Sequence, residues 1–442
     1  MINLFEVFDK QTIVLYNSFK FSDIHRKTIV IEDNGFLPED VETPYKFFSN
    51  NTNLPIKPLF FNQVPTPRFW SIDGNNNDAA VKNLGEIKAR IIYKKNYKHR
   101  VVERVEWLNE LGHTQFIDYY NKYGFKYAEV LLDPKTHRRI LKRYFNYKKE
   151  NFMTEYFVTN DIVLYWEEKE YFFHSKIQLV NFYLKVTGLE SERFLINSFS
   201  VSSAVINNLS IQNNHYLFWQ GRITNEVIHH MENILSKEHS TYSVIVPGNE
   251  VYKKVVNSIN ENLSHRVSQS GYVYKFLKPN HYSNQVLILT NSDQIPHLEK
   301  IVQMNTHLDF HIAAITEMSQ VLMKFNQYSN VALYPNSKKD NLIKLYHKCD
   351  VYLDINKGNE ILDSVRAAFD HNLLILGYKT TAHNKLVTAQ NNLFDINEPL
   401  DLINILKETT EDTSILNNRL ALQLDKGGSV DKETFINSIV EK

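Results

Sequence analysis

The sequence predicts an α/β protein in which two α/β units face a cleft and an antiparallel β-sheet is inserted into the first of them. Three observations carry this reading. Apolar strand segments recur regularly from residue 285 to 376, Tyr, Phe and Trp crowd short alternating runs between 47 and 176, and α/β alternation resumes at 177. The boundaries that follow are 1–46 with 177–280 for the first unit, 47–176 for the insertion and 281–442 for the second unit.

The first unit opens with an amphipathic segment at 4–19 and a strand TIVIED from Thr28. The loop NGFLPEDVETPY comes next, where Gly35, Pro38 and Pro44 end regular structure. No second βα repeat follows. The runs EIKARIIYK, HRVVERVEWL, TQFIDYYN, FKYAEVLLD, HRRILKRYF, MTEYFVT, DIVLYWEE and YFFHSK alternate instead, joined by KNYK, ELGH, KYG, DPKT and NYKKEN. Turns of that length suit hairpins, so a meander of about eight strands is expected. Charge on one face and aromatics on the other suit a sheet covered on one side. Arg100, Arg104, Arg138, Arg139, Lys142 and Arg143, interleaved with Tyr144, Phe145 and Tyr147, are the composition of a nucleic-acid platform. Glu103, Glu106 and Glu129 stand among them, however, and a charge-balanced, solvated face is the reading adopted. A broad aromatic sheet with no catalytic set suits docking of another protein.

From residue 177, KIQLVNFYLKV and SERFLINSF show three-to-four spacing and read as helical. HYLFWQG, YSVIVPG and GYVYKF then read as strands, alternating with the helices ITNEVIHHMENIL and NEVYKKVVNSINENL. Adjacent helical residues point in different directions, so His229 and His230 make no metal site. In the second unit strands open at QVLILT, LDFHIAAI, NVALYP, CDVYLDI and NLLILGY, a repeat of about twenty to twenty-four residues that fits a right-handed parallel βαβ series. The tail from Leu400 reads as three helices, punctuated by Gly427 and Gly428.

Composition narrows the function classes. Fifty Lys+Arg balance fifty Asp+Glu, so no whole-chain field draws in nucleic acid or an anionic membrane. The single cysteine, Cys349, sits in an apolar strand and reads as a small core residue, and an internal disulfide is excluded. MINLFEVFDKQ lacks the pattern of a signal peptide, and no stretch approaches the ~18 apolar residues of a membrane span. A cytoplasmic protein is expected. Among 13 glycines there is neither a G-x-G-x-x-G nor a P-loop arrangement to cradle phosphate.

The stretch 349–384 is the best candidate site. It reads as a strand from Asp350, a turn holding Lys357, Gly358 and Asn359, a helix to about His371, and a second strand from Leu373. In an open parallel sheet such a turn lies at the carboxyl edge, where ligands bind.

INLFE, NGFLPEDVETPYKFF, FHIAAITEMSQVL, NVALYP and CDVYLDINKGNEILDSVRAA together resemble the GtfB family. These are the stabilising, non-catalytic subunits of the cytosolic two-component O-GlcNAc transferase that serves accessory Sec export of serine-rich repeat adhesins in Gram-positive bacteria. The resemblance implies a GT-B architecture: two Rossmann-like domains, the first carrying an extended β-sheet add-on domain. Catalytic relatives of this fold carry E-x7-E at the turn and helix after the penultimate strand. Mapped here, those positions are Gly358 and Arg366, and eight residues beyond the nearby Glu360 stands Ala368. After QVLILT the one basic residue is Lys300, read as lying well along the helix. An unneutralised diphosphate is costly to desolvate, so donor binding is expected to be weak or absent.

The resemblance therefore implies a subunit without catalytic residues, cofactor or metal. Its partners would be a catalytic glycosyltransferase subunit and a Ser/Thr-rich acceptor polypeptide, with peripheral association at the inner face of the membrane left open. Candidate acceptor-binding residues are Trp219 and Arg222 at the end of HYLFWQG, with Lys357, Asn359, Glu360, Lys379, His383 and Asn384 in the second unit. Trp219 has a plainer reading as core and Lys379 as a solvated loop lysine. The alternative is an active retaining transferase with a diverged donor site.

Overall fold

The computed structural model describes every residue except 52–53, 76, 96, 98–99, 210–213, 237–241 and 441–442, so part of the KNYK turn lies outside the described residues. The chain divides into two compact units. One comprises Met1–Val14, His25–Ile245 and Ser258–Val267; the other comprises Leu15–Ile24, Val246–Asn257 and Ser268–Lys442.

The first sheet has the spatial order Val267–Ser270, Tyr242–Pro247, His215–Phe218, Phe194–Ile196, Ile2–Phe5, Thr28–Val30, Val41–Glu42. Two of its inner strands depart from the sequence reading. Ile2–Phe5, of which Leu4 and Phe5 were expected to begin an amphipathic segment, is a strand with all four residues buried, and the helix starts only at Lys10. Phe194–Ile196, expected to be helical, pairs in parallel with Ile2–Phe5 and with His215–Phe218. Both are short contiguous apolar runs buried on two faces, which periodicity alone does not separate from helix. Asp9 starts the helix by accepting from the Thr12 N–H at 2.8 Å.

The inserted sheet is antiparallel and strictly sequential, with ten strands from Ser71–Gly74 to Lys169–Phe173. Eight match the expected runs. The two extra strands, Ser71–Gly74 and Asp78–Asn83, are built from small and polar residues that carry little β signal. Asx turns close its hairpins: Asp133 Oδ1 accepts from the N–H groups of Lys135 and Thr136, and Asn146 Oδ1 from that of Glu150. Two members of the basic cluster are paired locally: Arg104 bonds Glu103 and Glu106, and Arg143 bonds Glu129.

The second sheet is parallel, in the order Val331–Tyr334, Asp309–Ala313, Gln285–Leu289, Val351–Asp354, Leu374–Tyr378, Leu393–Phe394. Alternate residues of one strand enter opposite cores: Val286 and Ile288 one, Leu287 and Leu289 the other. The strand order reverses between Gln285–Leu289 and Val351–Asp354, and the crevice beyond their carboxyl ends is where a doubly wound sheet binds ligands. The expected strand GYVYKF is not regular. The strand is Val267–Ser270, and Tyr272 instead exchanges backbone bonds with the tail, donating to the Gly428 carbonyl and accepting from Val430 N–H. Helices Pro399–Glu411, Thr413–Lys426 and Lys432–Val440 form the tail.

Candidate functional site at the strand-order reversal

The turn at the reversal is longer than the sequence suggests. The strand ends at Asp354 and the helix begins only at Ser364, because Leu362 and Asp363 take left-handed backbone angles. Glu360 closes the gap: its carboxylate accepts from Val365 N–H at 3.1 Å, and burial raises its pKa. A residue expected to meet an acceptor thus caps the helix from inside the turn.

Hydrogen bonds link the loops on the two sides of the crevice. Asn356 is 3% exposed; its Oδ1 accepts from the Thr290 hydroxyl at 3.0 Å and from Gly358 N–H at 3.0 Å. Its amide nitrogen reaches Asn291 Oδ1 at 3.4 Å, and Lys357 N–H donates to the Gln294 carbonyl at 3.0 Å. A Cβ at Gly358 would stand 1.9 Å from Asn291 Oδ1, so a side chain there would have to displace the Asn291 amide of the facing loop. Arg366 is turned to its own helix. Its Nε donates to Asp370 at 2.9 Å, and its guanidinium lies 5.2 Å from the Tyr274 ring centroid. Lys300 is exposed and stands in the first turn of Leu298–Met304, not well along the helix as expected, because the loop before it is irregular.

His383 joins the two sides of the turn. Nδ1 lies 2.5 Å from Asp354 Oδ1, Nε2 lies 2.7 Å from the Gly358 carbonyl, and the backbone N–H of His383 donates to Asp354 Oδ2 at 2.8 Å. A carbonyl only accepts, and beside it the carboxylate favours a proton on the other nitrogen too, so the ring is an imidazolium donating at both ends. The Asp354 bond raises its pKa to about 9 against the opposing effect of burial. Both nitrogens are therefore committed within the chain.

The structure brings Lys357, Gly358, Asn359, Glu360, His383 and Asn384 around one turn, with Lys357, Asn359 and Lys379 exposed. Asn384 is half-buried, and its Oδ1 accepts from Leu386 N–H at 3.2 Å. Trp219 and Arg222 belong to the first unit. Trp219 is 9% exposed and packs on Phe199 at 5.1 Å, whereas Arg222 is exposed. Sequence reasoning passed over Asp354, Asn291 and Asn356, the residues that organise the turn. The one available signal was a carboxylate ending an otherwise apolar strand. His229 and His230 are exposed, and no cluster among the described residues has the makings of a metal site.

Comparison with known proteins places this geometry. Four domain models match consecutive segments: the GtfB N-terminal domain at 2–48, the GtfB middle domain at 70–174, the GtfB third domain at 176–258 and the GftB/GlyA-F C-terminal domain at 286–423. The chain is 36% identical over 408 residues to the UDP-N-acetylglucosamine–peptide N-acetylglucosaminyltransferase stabilizing protein GtfB of Streptococcus agalactiae, covering 92% of each chain. It is 31% identical to the protein of that name from Streptococcus pneumoniae serotype 4, over 98% of this chain and 97% of the other. A chain from the crystal structure of a GtfA/B complex bound to UDP and GlcNAc superposes with a TM-score of 0.94 at 33% identity, covering 100% of this chain and 99% of that one. The pneumococcal O-GlcNAc transferase GtfA superposes at 0.55 with 13% identity, a likeness of fold alone. The architecture is thus GT-B-like with an added antiparallel sheet, and the chain belongs to the GtfB family of transferase-stabilizing proteins.

Proposed function

We propose that this chain is the non-catalytic subunit of a peptide O-GlcNAc transferase complex, stabilising a catalytic glycosyltransferase subunit and holding a Ser/Thr-rich acceptor polypeptide for it. One observation supports this most: near full-length likeness to a GtfA/B complex chain coincides with a turn whose first donor-carboxylate position is blocked by Asn291. Holding an acceptor near a partner's active site raises rate without any catalytic group in the holder. The exposed Lys357, Asn359 and Lys379 are the groups of this turn best disposed to meet a polypeptide, while Glu360 and His383 shape the surface they stand on. The complex would act in the cytoplasm. Any hold on the membrane would come through its partners, as no described helix is long and apolar enough to cross a bilayer.

Co-expression with the catalytic subunit, co-purification, and a transfer assay with and without this chain test the reading. We expect a stable complex, transfer to peptide that depends on this chain, and peptide binding by the chain alone. Tight UDP-sugar binding without peptide binding would overturn it.

A further inference from the structure

Trp219 follows the strand His215–Phe218 at the carboxyl edge of the first sheet, the edge at which an open parallel sheet binds ligands. Its side chain is 9% exposed, and its indole N–H, itself buried, meets no hydrogen-bond acceptor among the described residues. A buried donor left without a partner carries its full desolvation cost, and a buried Trp N–H ordinarily finds one. The neighbouring amides are paired. Gln220 Oε1 accepts from Asn197 Nδ2 at 2.9 Å, Asn197 Nδ2 also reaches the Thr12 hydroxyl at 2.9 Å, and Gln220 Nε2 donates to the Gln11 carbonyl at 2.9 Å. Among these neighbours the indole is left over.

The unpaired donor lies under a short cover. Gly221 stands in the irregular segment that leads to the helix Asn225–Leu235, and a Cβ there would be 2.6 Å from the Trp219 ring. Glycine therefore lets the main chain turn back directly onto the indole. A segment outside strands and helices opens at a lower free energy than either. Phe199, from the loop after the neighbouring strand Phe194–Ile196, packs on the same indole with ring centroids 5.1 Å apart. That strand borders the reversal of strand order in this sheet, which falls between Phe194–Ile196 and Ile2–Phe5.

Chemistry narrows what the site takes. Both groups left free here are donors: the Trp219 N–H, and the exposed guanidinium of Arg222, which forms no ion pair among the described residues. The ligand must therefore present hydrogen-bond acceptors. A carboxylate would be buried against Phe199 and the indole with no buried cation beside it, which is costly, whereas a carbonyl is neutral. An extended polypeptide without secondary structure of its own offers a row of unpaired main-chain carbonyls.

We infer that the Trp219 indole donates to a main-chain carbonyl of the extended acceptor polypeptide, the segment around Gly221 giving way as the polypeptide enters. This rests on the reading of the chain as a polypeptide-holding subunit and adds to it a contact within the first unit. The chain has 4 tryptophans, so a proton–nitrogen NMR spectrum of the full chain holds that many indole signals, and Trp219→Phe identifies the one belonging to residue 219. Titration with a Ser/Thr-rich peptide, acetylated and amidated at its ends, should move that signal downfield, as a new hydrogen bond does. Trp219→Phe should weaken peptide binding by roughly 10-fold, the scale of one hydrogen bond to a buried donor. A chain carrying benzothienylalanine at 219, which keeps the shape of the indole but has no N–H, should show the same loss and so separates the bond from packing. If the peptide binds while the signal stays in place, or if the benzothienyl variant binds like the parent, the inference fails and the polypeptide-holding reading stands. If no peptide binds, both fall. An equal shift with acetate would mark an anion site and would also overturn the inference.

Discussion

The turn at the strand-order reversal and the cavity of about 330 Å³ between residues 33–51 and the inserted sheet both commit their polar groups to the chain itself, and differ in the space left between their walls. At the turn, Asn291, Asn356, Asp354 and His383 bond one another or the backbone. In the cavity, Asp33 accepts from Gly35 N–H, Asn121 from Tyr123 N–H and Asn51 from Tyr147 N–H, and Ser49 donates to the Lys46 carbonyl, yet open space remains. Having polar residues at a carboxyl edge therefore does not make it a binding site; what counts is whether those residues still have bonds to offer.

The largest expected effect breaks the turn. Asp354→Ala leaves His383 without its carboxylate in a site where Asp354 is 1% exposed, and should destabilise the second unit by about 3 kcal/mol or more in chemical denaturation. Next, Gly358→Glu, which restores a carboxylate to the position of catalytic relatives, should cost about 2 kcal/mol and confer no UDP-sugar binding by calorimetry. In an Asn291→Ala background the cost of Gly358→Ala should shrink by about 1 kcal/mol, a coupling that a double-mutant cycle would measure.

The pH dependence sharpens the contrast. His383 is raised in the folded state to about 9, so its contribution is complete below about pH 6.5 and is lost as pH rises through about 9. The stability difference between the parent and His383→Gln should fall by roughly 2 kcal/mol between pH 6 and pH 10. His215 and His311 run the other way, each lowered to about 4 by burial. Their contribution is present above about pH 6.5 and is lost as pH falls toward 4. The smallest effect belongs to the exposed groups. Lys357→Ala and Lys379→Ala should each change stability by less than about 0.5 kcal/mol, yet weaken acceptor-peptide binding several-fold if the turn meets the polypeptide.

Much of the architecture was legible because its signals are local. The strands of the second sheet carry long apolar runs, and eight strands of the insertion alternate clearly between Asx turns. Ile2–Phe5 and Phe194–Ile196 were missed because three or four apolar residues define no period. At the site, the resemblance led to the expectation that Gly358 and Arg366 stand where catalytic relatives carry carboxylates, but gave no sign of what meets Gly358. Asn291 lies 67 positions from Gly358, and nothing in either segment announces that the two meet. The cavity was equally hidden, since its wall joins residues 33–54 to strands about a hundred positions later.

The contact between Asn291 and the missing Cβ of Gly358 also bears on evolutionary reversibility. A lineage that regained a carboxylate at 358 would first meet a clash. Relieving it at 291 would disturb the amide pair with Asn356, which also holds Thr290 and the Gly358 N–H. The contact thus couples position 358 to three other residues of the turn, so that a change at one is felt by all.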